Sequence, residues 1–228
     1  MKKHFLMICL FSAVYSFGQQ TAVEFANFAK YEAENKALPA PKASEDRVVF
    51  MGNSITEGWK NNHPEFFENN PYIDRGISGQ TTSQMLLRFR RDVIDLKPKA
   101  VTFLAGINDI AENTGPIEIK DVFGNIISMV ELAQQNNIVP IICATLPANH
   151  FPWRERIQPA TKVIELNEML KAYAKKNNIV YVDYYKAMVD DKMGLSEELA
   201  SDGVHPTSKG YDIMEPLVKK GIEEALKN

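Results

Sequence analysis

Four short apolar runs, Val48–Met51, Ala100–Leu104, Ile138–Cys143 and Ile179–Val182, punctuate this chain, and each lacks the polar alternation of a half-exposed strand. Runs of four to seven such residues are the pattern of strands buried on both faces. Between them, apolar residues recur at helical spacing, as at Ile119, Val122, Phe123, Ile126, Ile127, Val130 and Ala133. The same period returns at Val163, Leu166, Leu170 and Tyr173, and at Met214, Leu217, Val218 and Ile222. Each segment has one apolar face to cover a sheet. The alternation predicts an α/β fold in which a parallel sheet is sandwiched between two helical layers, with a shorter fifth strand near Tyr72–Asp74.

In such sheets the ligand site lies outside the carboxyl ends of the strands. Chemistry is therefore sought in the segments that follow the apolar runs: Gly52-Asn53-Ser54, Gly76–Gly79, Ala105–Asp109 and Thr145–Trp153, together with Asp202–Pro206 ahead of the last helix.

Two lysines precede an apolar run from Phe5 to Phe17 that ends among small residues, which reads as a signal peptide over residues 1–18 and predicts export to the periplasm or beyond. The run is too short to span a bilayer, so no stable membrane insertion is expected after cleavage. Bulky Met7 and Ile8 argue against a lipid anchor on Cys9. Residues 19–46 are expected to form a short amphipathic helix and a linker, and residues 47–228 one domain. A net charge of −3, which loses two lysines with the leader, argues against nucleic acid as a partner. Cys143 sits inside an apolar run and reads as a small buried hydrophobe.

Ser54 follows the first strand through Gly52, where the chain turns into a helix. There its N–H favours an anion and its hydroxyl is presented to a ligand, although an N-cap serine occupies the same position. A hydroxyl becomes a nucleophile when a base takes its proton. Of the histidines beyond the leader, His63, His150 and His205, only His205 has a carboxylate three residues earlier, Asp202, able to hold one imidazole nitrogen and leave the other for the serine. A surface turn ahead of the last helix has the same D-x-x-H spacing. Donors for a developing oxyanion are available in the backbone N–H of Gly79 and the side-chain amide of Asn108, each of which also suits an ordinary turn.

Taken together, GNSIT at 52–56, RGISGQT at 75–81, AGIND at 105–109 and DGVHP at 202–206 resemble the ordered signature of the SGNH hydrolases, or GDSL-like lipase/acylhydrolase family. The resemblance implies a flavodoxin-like three-layer sandwich with a five-stranded parallel sheet. It implies Ser54 as nucleophile and first oxyanion donor, Gly79 and Asn108 as the other donors, and His205 as the base oriented by Asp202. No metal or cofactor is implied. Asn53 departs from the aspartate that many members carry at that position.

Candidate contacts to a substrate are Trp59, His63, His150 and Trp153, the last in a proline-flanked loop. An exposed tryptophan stacks on a sugar ring, whereas a buried one packs. The expected substrate is a short-acyl ester, an acetyl group on a saccharide or small molecule. The alternatives are a lysophospholipase, thioesterase or platelet-activating-factor-acetylhydrolase-like lipid acylhydrolase and, in another class, a non-catalytic carbohydrate-binding protein. A nucleotide-binding reading fails because Gly76–Gly79 fits neither G-x-G-x-x-G nor the Walker pattern.

Overall fold

A computed structural model describes residues 20–227. The signal-peptide reading of residues 1–18 therefore lies outside the described residues. The four apolar runs and the segment near Tyr72 form five parallel strands: β1 (Val48–Gly52), β2 (Tyr72–Gly76), β3 (Ala100–Leu104), β4 (Val139–Cys143) and β5 (Val180–Val182). Their order in the sheet is β2-β1-β3-β4-β5, with Val48 in register with both Tyr72 and Ala100. The order reverses at β1, and this is where the ends of neighbouring strands open into a crevice.

Two helices precede the sheet, α1 (Ala22–Ala26) and α2 (Glu32–Ala37). The helix expected there is thus broken in two, at Asn27, whose left-handed φ of 53° ends α1. The break does not leave a free linker. Tyr31 is buried and its hydroxyl donates to the carbonyl oxygen of Gly76, so this arm is packed on the domain.

The remaining helices are α3 (Ser54–Asn62), α4 (Pro64–Glu68), α5 (Thr82–Asp92), α6 (Ile107–Ile110), α7 (Ile119–Gln135), α8 (Ala160–Lys176), α9 (Tyr184–Met188) and α10 (Ser208–Lys227). Helix α3 packs on β1 and β2 and α10 on β4 and β5, and they are joined where the Tyr211 hydroxyl donates to the Ile55 carbonyl at 2.7 Å. Helices α5, α7 and α8 pack side by side in the other layer, α7 against β4 and α8 against β5. The strand residues of β1 and β3 are buried along their whole length, as continuous apolar runs require. Among the described residues no helix is long and apolar enough to cross a membrane.

Glycines close the layers around the crevice. A Cβ on Gly76 would sit 2.2 Å from the amide nitrogen of Glu57 and 2.7 Å from the Asn53 carbonyl oxygen. The end of β2 therefore lies directly against the first turn of α3, which brings the loop after β2 beside Ser54.

Candidate active site

Asn53, rather than Ser54, is the N-cap of α3: its Oδ1 accepts from the Ile55 amide at 3.0 Å. Ser54 is thereby released from capping and becomes the first helical residue, whose own N–H has no acceptor within the helix. Its half-buried Oγ lies 2.8 Å from Nε2 of His205. On the far side of the ring, Nδ1 lies 2.6 Å from Asp202 Oδ2. Asp202 Oδ1 accepts from the backbone amides of Val204 and His205 at 2.9 and 2.8 Å, which folds the D-x-x-H segment into a tight turn. Burial raises the Asp202 carboxyl, but the bonds from His205 and Val204 outweigh it and hold the group below the usual range, so the carboxylate stays charged beside the imidazole.

Gly79 occupies the third position of a turn closed by the Gln80 amide on the Ile77 carbonyl at 3.2 Å, with φ 78°. That conformation suits glycine, so the turn and a donor role coexist at this position. Asn108, buried at the start of α6, donates one Nδ2 hydrogen to the Gln80 carbonyl at 3.0 Å. A primary amide carries two, so the second remains for a ligand. The next residue, Asp109, accepts from the Thr82 amide and hydroxyl at 2.9 and 2.6 Å, tying α6 to the start of α5. Burial pushes its carboxyl up to about 6, against the pull of the Thr82 bonds. Ser54, Gly79 and Asn108 thus follow three adjacent strands, with the serine on the middle one.

The tryptophans separate. Trp59 is 1% exposed, stacked between Phe66 and Tyr211, and donates to Glu215 at 3.2 Å, so the substrate-binding expectation for it fails: an indole on the inner face of α3 is core. His63 fails with it, being buried against the same Glu215 at 2.7 Å. Trp153 is 47% exposed, stacks on Phe151, and its ring lies 6.0 Å from that of His205. His150 is exposed, and its ring fills the space where a Cβ on Gly203 would be, 2.6 Å from Cε1, so it abuts the Asp202–His205 turn.

Ser54 and His205 open on a cleft of about 580 Å³ that is also lined by Asn27, Lys30, Glu57, Asn61 and Ser78. Of these five, Ser78 alone lies in a segment that the sequence marks for chemistry, Gly76–Gly79. Glu57 was within reach of such reasoning, since it lies one turn beyond Ser54 on the same helix face.

Residues 50–213 match the model of the GDSL-like lipase/acylhydrolase family. The chain belongs to that family. It is a hydrolase of ester bonds, and the three-layer sandwich is the family's fold. A GDSL-like lipase from Bacteroides thetaiotaomicron is 54% identical, with a TM-score of 0.86, over 89% of this chain and all of that one. The isoamyl acetate-hydrolyzing esterase of Saccharomyces cerevisiae is 25% identical over 78% of this chain and 86% of the yeast protein. An uncharacterized lipoprotein of Bacillus subtilis, YqeF, is 26% identical over 67% of this chain and 72% of its own.

Proposed function

We propose that this family member removes short acyl groups, acetyl above all, from a saccharide alcohol, with Ser54 as nucleophile, His205 as general base and Asp202 as its anchor. The observation that carries the reading is the unbroken path of hydrogen bonds from Ser54 Oγ through the imidazole to the Asp202 carboxylate. Asp202 holds the Nδ1 proton, so Nε2 presents its lone pair to the serine. As Oγ bonds to the ester carbonyl carbon, its proton passes to Nε2 and the carbonyl electrons move to oxygen. The amides of Ser54 and Gly79 and the remaining Asn108 hydrogen are the donors for that oxyanion. Collapse expels the alkoxide, which takes the proton from His205 and leaves an acyl-serine. Water, deprotonated by the same nitrogen, releases the acid.

A short acyl group is supported by the yeast relative, named for hydrolysing an acetate ester. A saccharide alcohol is supported by the polar cleft wall and by Trp153, a half-exposed ring beside His205 on which a sugar can stack. Export is part of the same reading, supported by the leader pattern of residues 1–18 and by the lipoprotein relative.

Fluorophosphonate labelling of wild type and Ser54→Ala tests the nucleophile, with label expected on wild type alone. Acetate release from acetylated xylans, pectins, sialic acids and peptidoglycan tests the substrate class. A preference for p-nitrophenyl esters beyond about eight carbons would overturn the short-acyl reading.

A further inference from the structure

Asn27 and Lys30 precede the family-matched stretch, which starts at residue 50, yet they line the cleft that holds Ser54 and His205. The arm that carries them is bolted down. Gln80 Nε2 donates to the Ala26 carbonyl at 2.9 Å, Gln84 Nε2 to that of Phe25 at 2.7 Å, and Asn35 Nδ2 to Asp92 at 2.7 Å. The Arg75 guanidinium lies 4.5 Å over the ring of buried Tyr31. A segment fixed at four points, one of them Gln80 beside the turn of Gly79, is a wall of the site.

The chemistry of that wall is specific. The Lys30 ammonium meets Glu57 at 2.6 Å, and Glu57 in turn accepts from the amide of Ser78 at 2.7 Å. An ammonium carries three hydrogens, so two remain. The side chain of Asn27 is exposed and has no hydrogen-bond partner among the described residues, and exposed Asn61 presents a second amide to the cleft from α3. Because Lys30 and Glu57 cancel, the wall offers donors without net charge. Hydroxyl and ring oxygens satisfy such donors, whereas an anion gains little from a lysine that is already paired.

We propose that this N-terminal arm is the specificity-determining wall of the ester site, with Asn27 and Lys30 holding hydroxyl oxygens of a neutral saccharide alcohol. The inference rests on the esterase reading of Ser54 and His205.

The test compares Asn27→Gly, which keeps the left-handed backbone, Lys30→Met and the double variant of the full chain on acetylated xylo-oligosaccharides, acetylated oligogalacturonides and p-nitrophenyl acetate. Each single variant is expected to raise KM for the neutral saccharide about three- to tenfold, the loss expected for one hydrogen bond. The ratio of kcat/KM on the neutral saccharide to that on p-nitrophenyl acetate should then fall about tenfold or more in the double variant. A ratio within about twofold of wild type in a folded double variant overturns the proposal, as does a wild-type preference for the acidic oligosaccharide. Should Lys30→Met unfold, Asn27→Gly decides alone, since glycine keeps the left-handed φ of 53° and the asparagine side chain anchors nothing among the described residues. Wild type that cleaves p-nitrophenyl acetate but no acetylated saccharide overturns the wall's assignment and leaves the esterase standing. Wild type that cleaves neither and takes no fluorophosphonate label overturns the esterase reading itself.

Discussion

Arg88 Nη2 donates at 3.0 Å to the carbonyl oxygen of Gly52, two residues ahead of Ser54, and at 2.9 Å to that of Arg75 on the adjacent strand. Its Nε meets Gln80 at 2.6 Å and its Nη1 meets Asp92 at 3.0 Å. One fully buried guanidinium thus joins the ends of β1 and β2, the turn that contains Gly79 and its own helix. Arg88→Met would take a donor from each of these acceptors and the cation from buried Asp92, which keeps its bond from Asn35, at about 3–5 kcal/mol. Arg88→Lys should recover little, because a point charge cannot reproduce the fork. Urea denaturation measures both, and a loss under about 1 kcal/mol in either variant would contradict the clamp.

His205→Ala and Asp202→Asn should each lower kcat on p-nitrophenyl acetate by about a thousandfold or more, with folding intact. Adding Ser54→Ala to His205→Ala should cost little further, since the residues act as a unit. Steady-state rates on the single and double variants check this, and additive losses would rule out a joint role.

Asn108→Ala should reduce turnover about a hundredfold, the typical effect of one lost oxyanion donor. The bonds from Thr82 to Asp109 remain in this variant, so α6 stays tied to α5. Near-wild-type turnover would remove Asn108 from the proposed site.

How much of this was readable in advance depends on whether a role is written in local spacing. The strands were, because β1, β3 and β4 are continuous apolar runs, and the D-x-x-H turn was, because Asp202 and His205 meet within one loop. Trp59 belongs to the core for a reason local spacing does not carry: the face a tryptophan presents depends on what α10 places opposite it, here Glu215 and Tyr211. Arg88 left no signal: a charge among Leu87, Phe89 and Arg90 looks like a solvated position, and only the convergence of four acceptors makes burial affordable. The arm is legible as a short amphipathic helix and linker but not as part of the cleft, since Asn27 and Lys30 acquire meaning only from tertiary docking over a crevice far along the chain.

Trp59→Ala and Trp153→Ala should diverge. The first empties a stacked core position and should cost about 3–5 kcal/mol of stability. The second removes a surface ring, should change stability by about 0.5 kcal/mol or less, and should raise KM for an acetylated saccharide. Thermal unfolding alongside saccharide kinetics separates them, and a KM unchanged in Trp153→Ala would remove it as a sugar platform.

Asp74 yields a pH prediction. Burial pushes its carboxyl up to about 7, although the Gly76 amide, donating at 2.6 Å, pulls the other way. The folded state therefore binds its proton more tightly than the unfolded chain does, and this group's contribution to stability is lost as pH rises from about 4 to 7. Asp74→Asn keeps an acceptor for Gly76 and removes the titration. Its stability relative to wild type should grow across that window, by at most about 4 kcal/mol for three units. Denaturation at pH 5 and pH 8 measures the difference, and an equal offset at both would show that Asp74 does not titrate there.

The sequence separation of 151 between Ser54 and His205 also orders events at the ribosome. All five strands are complete by Val182, before the histidine has been synthesised. At about 5–20 residues per second, roughly 8–30 s pass between translation of the serine and of its partner. At the end of that interval the nascent chain has every strand residue but no imidazole, so in the proposed mechanism Ser54 has no base until translation is nearly over.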